Sequence, residues 1–305
     1  MSQSRHQLGF LLAFIGAVAA SGKAIVVKLL LREGVDPISA LGLRMLFAAP
    51  VFACLVVWAA RGNDTPVAPH LGRVVLLGFT GYYLASTLDF LGLALISASL
   101  ERLILYVYPT MVLLLVRLRG GPRIRARQWS AMALSYVGVL VAFGAEAHHT
   151  MLASETTPRE VVLGAALVLA SGASYAVYMV LSGELVGKFG ALRLTGLASI
   201  VACVFCIGQF AVLRPQLIAA GGTWLTPRVI GLSLFNATVC TVMPMWMVMR
   251  GIQLIGAGQS AQISMIGPLA TMLLAVAMLG EPLTPAMIFG TLLVVAGIAW
   301  LSRAR

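Results

Sequence analysis

The sequence predicts an all-α membrane protein of ten transmembrane helices, built as two inverted five-helix repeats. Three observations carry that expectation. Of 305 residues, 60% are hydrophobic and only 10% charged, with a mean hydropathy of +0.97. A soluble domain carries about 25% charged residues. The apolar residues fall into ten runs near the 20 residues a helix needs to span a bilayer. And the two halves of the chain resemble each other, each with five runs.

The predicted helices cover about 8–30, 38–60, 71–96, 99–118, 127–144, 161–183, 191–213, 228–252, 258–279 and 285–302. Between them lie breaks that are polar or rich in Gly and Pro, such as "REGVDP", "RLRGGPRIRAR", "GKFGA" and "GEPLTP". The first run is too long for a signal-peptide core and ends in charge, so no cleavable leader is expected. With the N-terminus inside, 13 Lys and Arg residues fall in inner loops and five in outer ones, leaving Lys23, Lys28 and Arg44 within helices. Five arginines, at 117, 119, 123, 125 and 127, share one inner loop. The bias places both termini in the cytoplasm of an inner-membrane protein. The net charge of +11 then reflects lipid contact, not nucleic acid.

The repeats are expected at 1–145 and 161–305, with a periplasmic linker at 146–160. "AASG" at 19–22 recurs as "LASG" at 169–172. "YPTMVLLLVRLRGGPRI" from Tyr108 aligns with "GPLATMLLAVAMLGEPL" from Gly267, matching Pro109 to Pro268, Gly121 to Gly280 and Gly138 to Gly297. Five helices per half reverse the second half's orientation. Secondary transporters use such inverted repeats to build two gates around a midplane site, and corresponding Pro-interrupted helices point to that site. Pro109 and Pro268 are read as kinks, serving either the site or simple packing.

Polar residues at helical spacing supply the candidate cavity lining. Ser171, Ser174, Tyr175, Tyr178 and Ser182 form one stripe on the sixth helix. Facing them would be Ser21 and Lys28 on the first helix, Tyr82 and Ser86 on the third and Tyr106 on the fourth. Asn236 and Thr241 on the eighth and Gln259 and Gln262 on the ninth complete the set. Singly such residues glue helices together; as a set they predict a wet cavity.

Charges inside the spans are the second signal, because each unpaired one costs at least about 2.5–3.5 kcal/mol at mid-bilayer depth. "LDFLGLALISASLERLILYVYP", 88–109, holds Asp89, Glu101 and Arg102. Ser99 is expected to cap the fourth helix, with Glu101 in its first turn. Asp89 needs a partner, and Arg102 across the tight turn is the nearest in sequence, so an Asp89–Arg102 pair is expected. Lys23 lies off the Ser21 face and points toward a carbonyl or Asp89. Lys28 and Arg44 are expected to snorkel. Asp89 and Glu101 are the groups that could couple transport to protons; uncoupled export is equally open. The CxxC of Cys203 and Cys206 reads as apolar helix surface, and His148 and His149 as an exposed outer loop. No metal site and no cofactor are expected, and no P-loop points to ATP use.

The residues that carry a resemblance are Lys28, "ALGLRMLFAA" with Arg44, "LISASLERLILYVYPTMVLLL", and the stretch from "GQSAQISMIGPLATML" through "LGEPLTP" to "GTLLVVAGIAWL". Together they resemble the EamA family of the drug/metabolite transporter superfamily over nearly the whole chain. The first half departs from the pattern: Pro122 stands where the second half has Glu281. The resemblance implies ten helices, a cavity lined by helices 1, 3, 4, 6, 8 and 9, a peripheral fifth and tenth helix, and alternating access. Export of a small organic metabolite is expected, most readily an amino acid or related compound. Anionic or phosphorylated metabolites are the alternative, and a non-transporting receptor or assembly partner a further class. A membrane enzyme would need a cluster of His, Asp or Glu at a membrane face beyond "HH". Small-molecule substrate and lipid are the expected partners; the oligomeric state stays open.

Overall fold

The computed structural model describes residues 2–61, 65–121, 123–153, 157–213, 224–255, 263 and 266–303. These residues are helical with short turns. The segments are α1 (Ser2–Arg32), α2 (Pro37–Ala60), α3 (Ala68–Leu93), α4 (Ala98–Leu118) and α5 (Ala126–Ala153). Then come α6 (Pro158–Phe189), α7 (Ala191–Leu213), α8 (Pro227–Ile255), α9 (Gly267–Leu279) and α10 (Pro285–Arg303). Among the described residues, α1 to α8 are long and apolar enough to cross a membrane, and α9 and α10 are shorter apolar helices.

The ends follow from local chemistry. The Asp36 carboxylate caps α2, accepting from Ile38 N at 2.9 Å and Ser39 N at 3.0 Å, with Pro37 in the first turn. Thr157 and Glu160 form a reciprocal capping box on α6. Gly280 ends α9 in the left-handed conformation, φ 70°, which a residue with a Cβ adopts only at a cost. Several expected limits change. Helix α5 runs to Ala153, so His148 and His149 lie on a helix and not in a loop. Pro109 stands in the first turn of a new segment, Tyr108–Leu118, after α4 breaks at Tyr106–Val107; Pro268 likewise stands in the first turn of α9. Both prolines therefore start segments where their missing N–H is not needed, instead of kinking a continuous helix.

Four interhelical pairs organise the bundle. Helices α5 and α10 pack chiefly on each other, and α2 packs on α7. Helix α1 crosses α8, and α3 crosses α6. Glycines sit at each crossing, because membrane helices lack a hydrophobic drive to associate and rely on close backbone approach. The contacts recur at sequence offsets of 154 to 159 residues. Gly138 lies against Gly290 and Val294, and Gly297 against Ala131 and Ser135, each residue displaced by 159. Gly42 lies against Phe210 and Gly196 against Val56, a displacement of 154. Gly251 rests on Gly9 and Ala13 of α1, while Gly92 rests on Gly164 and Val168 of α6. That last pairing relates α1 to α6 at 155 residues, so "AASG" and "LASG", 150 apart, sit at different levels. Two π-helical turns, Phe79–Leu84 in α3 and Thr238–Val242 in α8, also begin 159 residues apart.

One end of the bundle is tied across the chain. Arg32 donates to Leu279 O, Arg228 pairs with Glu33 at 3.1 Å, and Glu281 reaches the start of α4. At the opposite end Thr65 donates to Lys188 O at 3.3 Å, and His70 stacks edge-on against Phe189. Large apolar side chains cover the outside, such as Leu118 at 82% and Val204 at 67% exposed, as a lipid-facing surface requires.

The α5–α10 crossing gives a direct test. A Cβ on Gly138 would lie 2.6 Å from Gly290 O, a backbone atom that cannot step aside, whereas one on Gly144 meets nothing within 4 Å. Gly138→Leu is expected to lower stability by about 1–3 kcal/mol, and Gly144→Ala to leave it near the wild type. Thermal melts of the purified protein in detergent read both.

Candidate functional site

Four segments bring their charged and hydroxyl groups to one buried node. Helix α1 contributes Ala20, Ser21 and Lys23, α3 contributes Asp89, α4 contributes Glu101 and Arg102, and α9 contributes Gly267 and Thr271. Lys23 Nζ pairs with Asp89 Oδ2 at 2.6 Å. Asp89 is 2% exposed and Glu101 0%. Neither Glu101 oxygen accepts from an N–H or hydroxyl group, and its carboxyl lies within hydrogen-bonding reach of that of Asp89. Arg102 turns the other way: Nε donates to Thr271 Oγ1 and Nη2 to Ala20 O, both at 3.1 Å. Ser21 Oγ donates to Gly267 O at 3.1 Å and to Ala17 O at 2.9 Å.

The expected Asp89–Arg102 pair is therefore replaced by Lys23–Asp89. Sequence proximity favoured Arg102, but Glu101 and Arg102 are consecutive residues on a helix and point in different directions. Arg102 faces α1 and α9, while α1 presents Lys23 to α3. The expected cap also moves. Ser97, not Ser99, is the N-cap of α4, with extended backbone (φ −65°, ψ 155°) and its hydroxyl accepting from Leu100 N. Ser99 lies inside the first turn and donates to Glu281 Oε2 at 2.8 Å, while Ala98 N and Ser99 N donate to the two Glu281 oxygens at 2.7 and 3.2 Å. Glu281 thus neutralises the positive end of α4 from the turn after α9. No local pattern signals this, because donor and acceptor lie 183 residues apart. Arg44 does not snorkel. It is 3% exposed, donates to Ser86 Oγ at 3.0 Å and stacks 4.7 Å over the Phe90 ring.

The polar stripe of α6 divides by function. Ser171 and Ser174 bind α3 carbonyls, Ala85 O and Thr80 O, each at 2.7 Å, and Ser182 folds back on Met179 O. Ser171 and Ser174 thereby tie α6 to α3. Thr241 likewise donates to Asn236 O within its own helix. The tyrosines instead form a row. Tyr108, Tyr175, Tyr178 and Tyr82 follow one another with ring centroids 5.2 to 5.5 Å apart, and the Tyr82 and Tyr178 hydroxyls stand 3.3 Å apart. Tyr108 was not singled out by spacing, because it belongs to the segment that starts after the α4 break. Asn236 is fully buried with both amide atoms unpartnered. Tyr106 packs its hydroxyl against Gly267. Lys28 is half-buried on α1. Gln259 and Gln262 lie outside the described residues.

Removing one member of a buried ion pair costs about 3–5 kcal/mol, because the other is left unpaired. Lys23→Met is expected to lose that much stability in detergent melts. The exchange Lys23→Asp with Asp89→Lys should recover part of the loss. Asp89→Arg with Arg102→Asp should be no better than the worse single change, since those two side chains do not pair.

The family model for EamA-like transporters matches residues 7–144 and again 162–303. A Bacillus subtilis protein named "uncharacterized transporter YcbK" is 30% identical over 90% of this chain and 86% of its own length. Another from the same organism, "uncharacterized transporter YetK", is 22% identical over 96% and 87%. An Archaeoglobus fulgidus protein also named "uncharacterized transporter" is 25% identical over 79% and 78%. One solved structure, described as the crystal structure of a protein, matches with a TM-score of 0.63 over 97% of this chain and 98% of that one, at 16% identity, which is a likeness of fold. The chain is a multi-pass membrane protein of the EamA-like transporter family.

Proposed function

We propose that the chain is a secondary transporter exporting small organic metabolites, amino acids or related compounds, from the cytoplasm across the inner membrane by alternating access. In this reading all ten segments span the bilayer with both termini cytoplasmic. Repeats 1–145 and 161–305 are inverted around a central site and joined by 146–160. The observation that carries it is the recurrence of interhelical contacts at offsets of 154 to 159 residues, on both sides of the bundle. Two halves that pack alike in opposite senses supply two equivalent gates. The segment start at Pro109 and its counterpart at Pro268 fall at the same displacement.

The substrate class is inferred from the residues assigned to the site in this reading. The tyrosine row offers aromatic faces and a few hydroxyls, and Asn236 an unpaired buried amide. Such a wall suits a solute with a polar head and an apolar body. It suits a phosphorylated solute less well, because Lys23 is paired with Asp89 and Arg102 bonds Thr271 and Ala20 O.

Proteoliposomes loaded with a labelled panel of neutral, acidic and basic amino acids and sugar phosphates test this reading. Selective efflux of amino acids is expected, reduced at least about tenfold by Tyr175→Ala. Efflux confined to anionic solutes would transfer the site to the cations. A reporter that fluoresces only in the cytoplasm, fused after Arg305, is expected to be bright. A dark fusion with a full-length chain would invert the orientation.

A further inference from the structure

We propose that Glu101 is the proton-carrying group of this protein, holding its proton against Asp89. This rests on the transporter reading and names its coupling ion.

The argument begins with the geometry. Glu101 is fully buried, and neither of its oxygens meets an N–H or hydroxyl donor. A buried carboxylate normally collects two or three such donors or a cation, because burial without them costs several kcal/mol. The Asp89 carboxyl lies beside Glu101, its Oδ1 likewise buried and without a donor, and two adjacent buried carboxyls hold a proton between them. Asp89 already has Lys23 at 2.6 Å. The proton therefore resides on Glu101, which donates to Asp89. Among the described residues, the other ionisable groups around the node are Lys23 on α1, Arg44 on α2, Arg102 and Tyr106 on α4 and Cys240 on α8, while α9 presents the hydroxyl of Thr271. Glu281 is occupied at the start of α4.

Loss of the proton breaks one O–H bond and leaves two adjacent buried carboxylates that share one paired cation, Lys23. That state is costly while the node is closed, so the proton is exchanged when the node is open to water. The proton reaches Glu101 from outer water when the site opens outward and leaves to cytoplasmic water when it opens inward. No other bond forms or breaks.

Two measurements on the full-length protein test this. Infrared difference spectra are recorded as buffer pH is raised through neutrality, with no solute added. The wild type is expected to show a protonated-carboxyl C=O band at neutral pH that Glu101→Gln lacks and Glu101→Asp shifts in frequency. Absence of that band in the wild type, or its persistence in Glu101→Gln, overturns the proposal. The second measurement repeats the proteoliposome panel with an imposed proton gradient. Efflux is expected to accelerate with the gradient in the wild type, and the Glu101→Gln protein is expected to lose that acceleration. Efflux indifferent to the gradient in the wild type overturns the coupling while leaving the transporter reading intact. Absence of any efflux counts against the transporter reading, and the infrared band still decides where the proton sits.

Discussion

Burying Lys23 against Asp89 fixes more of this molecule than any other contact. Inside a bilayer neither charge has water to fall back on, so α1 must rotate until Lys23 meets α3. That rotation sets what the rest of α1 presents. Ser21 then faces the start of α9, and the Ala20 carbonyl meets Arg102. One ion pair thus aligns helices from both halves of the chain. The node is polar but nearly closed, and each bond in it restricts where its neighbours can turn. Glu101 is the exception: neither of its oxygens meets a donor.

Around that node the bundle is held by shape instead of by apolar burial. Lipid is as apolar as a leucine side chain, so helices associate where backbones approach closely and hydroxyls cross-link them. Glycines at the α5–α10, α2–α7, α1–α8 and α3–α6 crossings do the first, and Ser171 and Ser174 do the second. The tyrosine row is different in kind. Two of its three ring contacts are edge to face and the middle one, Tyr175–Tyr178, is tilted, and the Tyr82 and Tyr178 hydroxyls stand 3.3 Å apart.

Much of the architecture was legible in the residues. Apolar runs, Gly and Pro breaks and the matched prolines located nearly every segment to within a few residues. The exceptions were the start of α1 at Ser2, the end of α6 at Phe189, the long polar extension of α5 through His148 and the break before Pro109, which proline's first-turn preference explains. The site was legible in part. The cost of an intramembrane charge announced that Asp89 needs a partner, and its partner was one of the two options left for Lys23. Choosing between Lys23 and Arg102 required the rotation of α1, which depends on packing that no local pattern encodes. The serines of α6 show the same limit: spacing put them on one face, but only the position of the α3 carbonyls shows that they are glue. Ser97 and Ser99 were nearly equivalent as caps in sequence. Glu281, arriving from the far half, decides between them.

That arrival has a consequence for how the protein is made. The first amide groups of α4 complete their bonding only when Glu281 exists, 183 residues downstream of Ala98. At about 5–20 residues per second, synthesis takes roughly ten to forty seconds to cover that distance. Arg102 waits almost as long for Thr271, 169 residues away. Throughout that interval the nascent first half sits in the bilayer with an unfinished helix end and a guanidinium lacking one of its two anchors. The start of α4 is therefore completed by the last two segments, and a chain that stops before residue 281 lacks that partner.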